Sequence, residues 1–373
     1  MTQGFRHTDP VTHQQQGGVK ARKGENLAPS LPPEPNRIAA GEAVTPASVS
    51  VSQAVHWASR ILEEAGVETP VNDALLLMAH AYGVDLSDIR KFMVMGESLS
   101  TSPEPESPAA VSTEISGAPR QTEPPYPGFD SHLVFQSFRE SLKRRANREP
   151  LQYILGQAPF RFLDLQVGPG VFIPRPETEA VVQAAIDWLD EHGLSSHRIV
   201  DLCAGSGAIG LSLVTEVRGA EVWAVEQSDE AYSWAAKNRE SVLKEDIAAG
   251  YNYHLVKGDA TSTTFLNELD GTIDLVVSNP PYVPENQIPE QAEVRDYDPD
   301  LSLYGGSVDG LRIPQKLVVR AASLLRAGGA LVMEHDISQG KALVDFALNH
   351  GFASASTGMD LTGRPRYLLA ELG

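Results

Sequence analysis

The run of residues best suited to chemistry is Asn279-Pro280-Pro281-Tyr282, which directly follows the mostly apolar segment 273–278. Asn279 offers a side-chain carbonyl, and Pro280 offers a backbone carbonyl whose direction is restricted by two adjacent pyrrolidine rings. Two such acceptors could orient both hydrogens of a planar NH₂ group, and Tyr282 could pack its ring against that group. The same run could also be only a stiff turn, so its interpretation depends on the elements around it.

A glycine-rich loop precedes this run in the chain. Gly205, Gly207 and Gly210 form the pattern G-x-G-x-x-G between a candidate strand and a candidate helix, and Glu226 ends the next candidate strand. Glycines let a ligand approach the backbone closely, and a carboxylate at this distance can bind the hydroxyls of a ribose. The pattern suits a dinucleotide such as NAD, and it also suits S-adenosylmethionine.

Two more carboxylates favour S-adenosylmethionine over NAD. Asp201 stands at the strand end before the loop, where it could hold the cationic amino group of a methionine moiety but would repel a pyrophosphate. Asp259 ends the following strand, where it could accept a hydrogen bond from the adenine amine. Because ligands bind at the carboxyl ends of parallel strands, these two residues and Glu226 would meet at one sheet edge. We therefore predict S-adenosylmethionine as the cofactor.

The asparagine run is expected at the same edge, which predicts methyl transfer to an amide or an aromatic amine. The lone pair of such a nitrogen is delocalised, so the nitrogen must be held close to the methyl group and in line with the leaving sulfur. Positioning of this kind can lower a barrier by about 7–11 kcal/mol. No strong base is required, since the proton can leave after the transfer. We predict Asn279, Pro280 and Tyr282 as the catalytic residues.

The elements that would position these residues alternate between strands and helices. Beyond a short hairpin predicted from 160–167 and 171–173, a helix begins near Glu177. Strands are then predicted at 198–202, 221–226, 253–257, 273–278, 330–334 and 367–371. Such alternation predicts an α/β fold with a mostly parallel, doubly wound sheet that carries helices on both faces.

The N-terminal part of the chain has a different composition. Residues 1–48 lack periodicity and predict a disordered tail, and the proline-rich segment 97–130 predicts a disordered insertion. Apolar residues at helical spacing predict further helices at 51–65, 72–82, 85–95 and from 133 onward. The last of these ends in a basic cluster at 143–148. That cluster could be a solvated helix end, or a docking patch for an acidic or nucleic-acid-bearing partner.

Composition limits the choice of partners. The formal net charge of −19 and the pI near 4.9 disfavour a nucleic acid as the main substrate, since phosphate binding usually needs a basic surface. Cys203 is the single cysteine, and the histidines lack the spacing of metal ligands, so no metal site is expected. The chain shows neither an apolar run long enough to span a membrane nor a secretory signal, so the cytoplasm is the expected location.

With these residues in view, the chain resembles the HemK/PrmC family of protein-(glutamine) methyltransferases, which modify peptide chain release factors. Beyond the glycine loop and residues 279–282, the resemblance rests on REPLQYILG at 148–156, FIPRPETE at 172–179, and LSLYGG with DGL at 301–311. It covers roughly residues 50–373 apart from the insertion.

The resemblance implies a fold, a substrate and a division of the chain. It implies a small N-terminal helical bundle at 49–148 that recognises the release factor, a hairpin linker at 149–175, and a class I (Rossmann-like) methyltransferase domain at 176–373 with a seven-stranded sheet. The acceptor would be the glutamine side chain of the Gly-Gly-Gln motif in the release factor.

The resemblance also implies the site residues. The residues expected to bind the cofactor are Asp201, Gly205, Gly207, Glu226, Asp259 and Asn279. The residues expected to hold or brace the substrate are Asn279, Pro280, Pro281, Tyr282, Phe172, Arg175 and Glu177. The chain departs from the family at Cys203, where the family commonly has glycine, and after Glu334, to which we assign no role from the sequence.

Four other functions share some of these features. A glutamine methyltransferase that acts on a ribosomal protein would differ mainly in its N-terminal region. An amino-methyltransferase acting on DNA or RNA bases would share Asn279–Tyr282 but should have a basic recognition surface. A nucleotide-binding dehydrogenase, or a non-catalytic binding module on the same fold, would lack methyl transfer altogether.

Overall fold

The computed structural model describes residues 48–101, 130–193, 197–244 and 250–373. The predicted disorder of 1–47 and 102–129 lies outside these residues and stays a prediction. Within the described residues, the predicted end of the tail and the predicted start of the insertion are wrong, because β1 (Ser48–Ser50) and β2 (Ser98–Ser100) pair as antiparallel strands. Ser48 was expected in the tail and Ser98–Ser100 in the insertion. Val49 and Leu99 between them are apolar and buried, which explains the pairing.

A helical bundle forms the N-terminal part, as predicted. Its helices are α1 (Val51–Glu64), α2 (Pro70–Tyr82), α3 (Leu86–Met95) and α4 (Ser131–Ala146). Helix α1 begins with a capping box, in which the Ser50 hydroxyl accepts from the Gln53 backbone N–H and the Gln53 side chain accepts from the Ser50 N–H. Glycines in the left-handed conformation, Gly83 and Gly96, end α2 and α3.

The connection to the second domain differs from the prediction. It contains α5 (Leu151–Leu155) and a hairpin of β3 (Gln157–Phe160) with β4 (Leu163–Gln166). The hairpin therefore turns at residues 161–162, and the predicted second strand at 171–173 is absent from the described structure. That segment is apolar because Val171 and Ile173 are buried against Tyr153 and Ala231, not because it pairs with a strand.

The second domain is a doubly wound sheet, which confirms the predicted fold class. Its strands are β5 (His197–Leu202), β6 (Ala220–Glu226), β7 (Asn252–Lys257), β8 (Ile273–Ser278), β9 (Leu325–Glu334), β10 (Phe352–Met359) and β11 (Pro365–Leu372). In the described chain they form one sheet in the order β10-β11-β9-β8-β5-β6-β7. Strand β11 is antiparallel to β9 and to β10, whereas β5 to β9 are parallel.

This strand order places a ligand crevice at a definite point. The chain runs outward from β5 through β6 to β7, and then returns to add β8 on the other side of β5. The connections after β5 and β8 therefore leave the sheet in opposite directions, which opens a crevice at the carboxyl ends of these two strands. The glycine loop follows β5, and the asparagine run follows β8.

Helices cover both faces of the sheet. The helices of this domain are α6 (Glu179–His192), α7 (Ala208–Glu216), α8 (Asp229–Lys244), α9 (Ala292–Tyr297), α10 (Asp300–Leu303), α11 (Arg312–Leu324) and α12 (Gly340–Leu348). Of these, the short helices α9 and α10 lie in the connection between β8 and α11. A 3-10 turn, Pro176–Thr178, leads into α6. Alternate residues of β5 enter different cores: Ile199 packs with α6 and α7, and Val200 packs with α11 and α12.

The basic cluster of α4 is neither a solvated helix end nor an open docking patch. Arg145 is buried, and it bonds Asp73 of α2 at 2.8 Å and Glu293 of α9 at 2.8 Å. Arg148 bonds both oxygens of Glu293, and Arg144 pairs with Glu149. Arg145 and Arg148 therefore join the bundle to α9 of the sheet domain through Glu293. In the described ranges, no helix has the length and apolar character needed to cross a bilayer.

Candidate active site

A cavity lies at the carboxyl edge of the sheet, enclosed by the loops after β5, β6, β7 and β8. Six of the predicted site residues line it: Phe172, Gly205, Glu226, Asp259, Asn279 and Pro281. Six others lie outside its lining: Arg175, Glu177, Asp201, Gly207, Pro280 and Tyr282. The structure thus brings the glycine loop, two of the three carboxylates and the asparagine into one cavity.

The glycine loop has an unusual backbone conformation. Cys203, Gly205 and Gly207 have φ values of 69°, 58° and 87°, in the left-handed region that glycine adopts without strain. This alternation turns the chain sharply from β5 into α7, whose first residues Ala208 and Ile209 line the cavity. A side chain at position 203 is strained in this conformation, which explains in physical terms why the resembling family commonly has glycine there.

Glu226 is held in place at the end of β6. One of its oxygens accepts from the Gly205 backbone N–H at 2.8 Å, and the other accepts from the Ser228 N–H at 2.7 Å. Burial raises the pKa of this carboxyl, although the two N–H groups oppose the shift. A carboxylate can accept about four hydrogen bonds, so Glu226 retains acceptor capacity toward the cavity.

Asp259 supplies the second acidic group in the cavity. Its Oδ1 accepts from the backbone N–H and the hydroxyl of Thr261, both at 2.8 Å, which fixes the loop after β7. Among the described lining residues there is no lysine, arginine or histidine, while Glu226 and Asp259 are acidic. The cavity therefore favours a cation over a pyrophosphate.

The position of Asp201 differs from the sequence-based expectation. Its side chain is fully buried beneath the glycine loop, and Oδ2 accepts from the Gly210 backbone N–H at 2.9 Å. Burial raises the pKa of Asp201 to about 7. In this position the carboxyl supports the start of α7 and does not reach the cavity directly, so a direct contact with a methionine amino group is not what this geometry favours.

The asparagine run divides between the cavity and the core. Asn279 lines the cavity, and its Nδ2 donates to the Thr178 hydroxyl at 3.1 Å. Both prolines are buried, and Pro281 lines the cavity whereas Pro280 lies outside its lining. Tyr282 lies outside the cavity lining, and its hydroxyl donates to Glu334 at 3.0 Å. Tyr282 therefore anchors the run to β9 and does not form a cavity wall.

The Phe172–Glu179 run contributes three residues to the cavity lining and one brace. Phe172 lines the cavity, and the Arg175 guanidinium lies 4.9 Å from the centre of its ring. Arg175 also pairs with the buried Asp298 at 2.7 Å, so it braces the segment that includes α9 and α10. Glu177 is exposed, and the other lining residues of this run are Pro174 and Thr178.

Sequence reasoning did not single out Thr178 or Glu334. Thr178 ends the 3-10 turn before α6, and its hydroxyl donates to Glu334 Oε2 at 2.7 Å. Glu334 is the last residue of β9 and is buried. The signal for Thr178 was its place in the FIPRPETE motif, and the signal for Glu334 was an acidic residue at a strand end beside the crevice. Among the described residues, no group of three potential metal ligands was found.

Two family models match different segments of the chain, and full-length relatives match most of it. Residues 53–110 and 131–156 match the family model described as PrmC N-terminal domain, and residues 152–296 match one described as Conserved hypothetical protein 95. A methyltransferase structure from Pyrococcus furiosus covers 56% of this chain and 88% of its own at 19% identity, with a TM-score of 0.39. The fold assignment rests on the strand order given above.

Close relatives cover most of the chain. The release factor glutamine methyltransferase of Bifidobacterium longum is 52% identical over 86% of this chain and 99% of its own. The protein of the same name from Streptomyces coelicolor is 40% identical over 85% of this chain and 96% of its own. A 4-amino-L-phenylalanine/4-methylamino-L-phenylalanine methyltransferase from Streptomyces pristinaespiralis is 38% identical, but over only 53% of this chain.

Proposed function

Because this chain belongs to the release factor glutamine methyltransferase family, we propose that its cavity holds S-adenosylmethionine beside Asn279 and that the acceptor is the glutamine of a Gly-Gly-Gln motif. The chain is accordingly a protein-glutamine methyltransferase whose substrate is a peptide chain release factor. The cofactor, the motif and the residue roles are the parts that require experiments.

The observation that carries the cofactor assignment is the charge of the cavity. A sulfonium cofactor is cationic and carries an ammonium group, whereas a dinucleotide carries a pyrophosphate. Glu226 and Asp259 favour the first, and the described lining offers no basic side chain to the second. Apolar groups between these carboxylates, including Val225, Ala231 and Ile209, provide surface for a flat adenine ring.

The proposed residue roles imply one orientation of the cofactor. Glu226 would accept from the ribose hydroxyls, and Asp259 would accept from the adenine amine. When bound, the cofactor supplies an electrophilic methyl group, which would then lie at the Asn279 end of the cavity. The backbone of the glycine loop would lie against the amino acid part, as its left-handed residues leave room for close approach.

Asn279 would orient the acceptor. Since its Nδ2 is engaged with Thr178, its Oδ1 faces the other way and can accept one hydrogen of the substrate amide. The Pro280 carbonyl would accept the second hydrogen. Both contacts turn the nitrogen lone pair toward the methyl carbon, so the chain contributes mainly by positioning. The nitrogen can lose its proton to water after the transfer, so no side chain has to act as a strong base.

The decisive experiment is mass spectrometry of unmethylated release factor after incubation with this protein and S-adenosylmethionine. We expect the mass of one methyl group on the Gly-Gly-Gln glutamine. Asn279→Ala should slow this transfer by at least about 100-fold, since an oriented reaction loses much of its rate when one acceptor is removed. Cofactor affinity and the free energy of unfolding should change little.

The matched control is Asn267→Ala, at an exposed asparagine outside the cavity lining, which should transfer methyl groups at the normal rate. Methylation of a ribosomal protein, or of nucleic acid, in place of the release factor would refute the proposed substrate. Equal losses of stability and activity in Asn279→Ala would instead show that Asn279 is structural.

A further inference from the structure

We propose that Glu334 and Thr178 are positioning residues, which hold the Asn279 amide with its oxygen toward the cavity. This inference rests on the proposed function, since it explains how the acceptor oxygen is aimed. It concerns contacts that span the chain: Thr178 and Glu334 are 156 positions apart, and Asn279 lies between them. Neither positioning residue is required to touch the substrate or the cofactor for this role.

The Thr178 hydroxyl has a single proton, which it can donate to only one partner. In its ionised form the Glu334 carboxylate can only accept, so that proton is donated to Glu334 Oε2 at 2.7 Å. Toward Asn279 the hydroxyl oxygen can therefore only accept as well. It lies 3.1 Å from Asn279 Nδ2, which is a donor. Reversing the amide would bring Oδ1 against Oγ1, two acceptors without a hydrogen between them.

The charge of Glu334 therefore selects the orientation of an amide that it does not contact. An asparagine side chain can rotate by half a turn at little steric cost, because its oxygen and nitrogen are nearly equal in size. Without Glu334, the Thr178 hydroxyl could donate to Oδ1 as readily as it accepts from Nδ2. The oxygen would then face the protein in part of the molecules, and the acceptor for the substrate amide would be lost.

Glu334 is itself fixed by a second hydroxyl. The Tyr282 hydroxyl donates to its other oxygen, Oε1, at 3.0 Å. One carboxylate thus holds both ends of the run that begins at Asn279 and ends at Tyr282. Burial raises the pKa of Glu334, while the two hydroxyls and the charge of Arg366 favour the ionised form. A buried carboxylate of this kind is costly to retain, and its partners here are all at the active edge.

This assignment changes the interpretation of the FIPRPETE motif. Arg175 and Glu177 lie outside the cavity lining, and the member of the motif that reaches Asn279 is Thr178. The 3-10 turn Pro176–Thr178 places the buried threonine hydroxyl between the ends of β8 and β9. The proline and glutamate before it then serve to form the turn.

The test uses a pair of substitutions at one position. Thr178→Val removes the hydroxyl but keeps the branched shape, and Thr178→Ser keeps the hydroxyl but removes a methyl group. We expect kcat for methylation of the release factor to fall about 10- to 100-fold in the valine variant, with a much smaller change in KM. The serine variant should retain most of the rate. Glu334→Gln should resemble the valine variant, because the new amide can donate to the Thr178 hydroxyl.

Two further measurements separate positioning from simple loss of stability. The variant with both Thr178→Val and Glu334→Gln should be no slower than the slower single variant, since both act through one hydrogen bond. In protein labelled with ¹⁵N-asparagine, the side-chain amide signal of Asn279, identified by its loss in Asn279→Ala, should shift in either single variant. This signal does not depend on the reaction.

The inference is overturned if Thr178→Val and Thr178→Ser transfer methyl groups equally fast, or if the Asn279 amide signal is unchanged in Glu334→Gln. Failure of the proposed function is a different result, in which the unaltered protein itself leaves the release factor unmethylated. In that case the amide signal still reports whether Glu334 and Thr178 orient Asn279.

Discussion

Glu226 has two tasks that usually fall to separate residues. Its carboxylate ties the glycine loop to β6 through the Gly205 N–H, and it also faces the cavity. The same charge thus shapes the loop and, in the proposed function, would accept from the ribose hydroxyls of the cofactor. Because burial raises its pKa, the ionised form is less favoured than in an exposed glutamate, and protonation competes with ligand binding at a higher pH than usual.

Replacing this carboxylate should therefore affect cofactor binding and its pH dependence together. In Glu226→Gln we expect the affinity for S-adenosylmethionine at neutral pH to fall about 10- to 100-fold, the range expected for hydrogen bonds to a charged group. In the unaltered protein the affinity should weaken as the pH falls through the raised pKa, and in the variant this dependence should be largely absent. Isothermal titration calorimetry across pH measures both.

Glu221→Gln is a suitable control, since Glu221 lies on the same strand and outside the cavity lining. An affinity in Glu226→Gln that equals the control would show that Glu226 serves the loop alone.

For single residues, the sequence predicted several that line the cavity, but it did not predict the hydrogen bonds that hold them. Glu226, Asp259 and Asn279 line the cavity, because strand ends and their sheet edge follow from local pattern. Asp201 was expected there too, but a residue one position before a strand end points into the core beneath the loop. Thr178 was not predicted as a site residue, because its hydrogen bonds to Asn279 and Glu334 depend on the pairing of β8 with β9. No local sequence pattern reveals that pairing.

At the scale of elements, the segment after the asparagine run is held by close backbone contacts. Gly310 has a φ of 70°, and a methyl group on it would overlap the carbonyl oxygen of Tyr282. Gln339 donates from one side-chain nitrogen to that same carbonyl and to Asp309 O. The LSLYGG and DGL motifs are thus explained by packing, since they keep the wall of the cavity against the run 279–282.

Gly310→Ala should consequently impair both folding and catalysis. A left-handed alanine costs about 1–2 kcal/mol, and the overlap adds about 1–3 kcal/mol, so we expect unfolding free energy to fall by about 2–5 kcal/mol. Gly363→Ala is the control, because Gly363 also has a positive φ of 77° but has open space around it. Urea unfolding of both variants separates overlap from strain, and equal losses would contradict the role of close contact.

The elements themselves were predicted unevenly. Six strands of the sheet are amphipathic or apolar enough to be recognised, but β10 reads FASASTGM and lies at the edge with mainly small, exposed residues. The family resemblance implied a seventh strand but gave no position for it, and the pattern of β10 predicted none. The hairpin was shifted because the apolar run at 171–173 suggested pairing, whereas its burial comes from contacts with α5 and α8.

At the scale of the whole molecule, ion pairs connect the bundle to the cavity wall. Glu293 of α9 accepts from Arg145 and Arg148, and the segment that follows contributes Leu301 and Ser302 to the cavity lining. Burial alone would raise the pKa of Glu293, but the two arginines outweigh it and lower the pKa to about 2. The ion pairs of Glu293 thus link the helical bundle to the segment that continues into the cavity lining.

Glu293→Gln should weaken this link. Removing the Glu293 charge leaves Arg148 without its ion-pair partner and leaves Arg145 with Asp73 alone, so we expect a loss of about 2–4 kcal/mol in unfolding free energy at pH 7. Since the pKa in the folded state is lowered, the stabilisation is complete above the ordinary value of 4.5 and disappears as the pH falls from there through about 2. The difference between the variant and the unaltered protein should therefore shrink over that range.

Glu240→Gln provides the comparison, because Glu240 belongs to an exposed pair with Lys244 and should change the unfolding free energy by less than about 0.5 kcal/mol. If Glu293→Gln is as stable as Glu240→Gln at pH 7, the domains are held together by apolar contacts instead.

The pairing of β1 with β2 has a consequence for how this protein can vary. The Ser100 N–H lies 3.1 Å from the Ser131 hydroxyl, so the chain leaves the bundle near residue 101 and re-enters it at nearly the same point. The PrmC N-terminal domain model passes from residue 110 directly to 131. Closing a loop between fixed points costs only about 0.6 kcal/mol for each doubling of its length. We therefore expect this junction to tolerate insertions, so that a tag or a reporter domain can be inserted there while the enzyme keeps its fold.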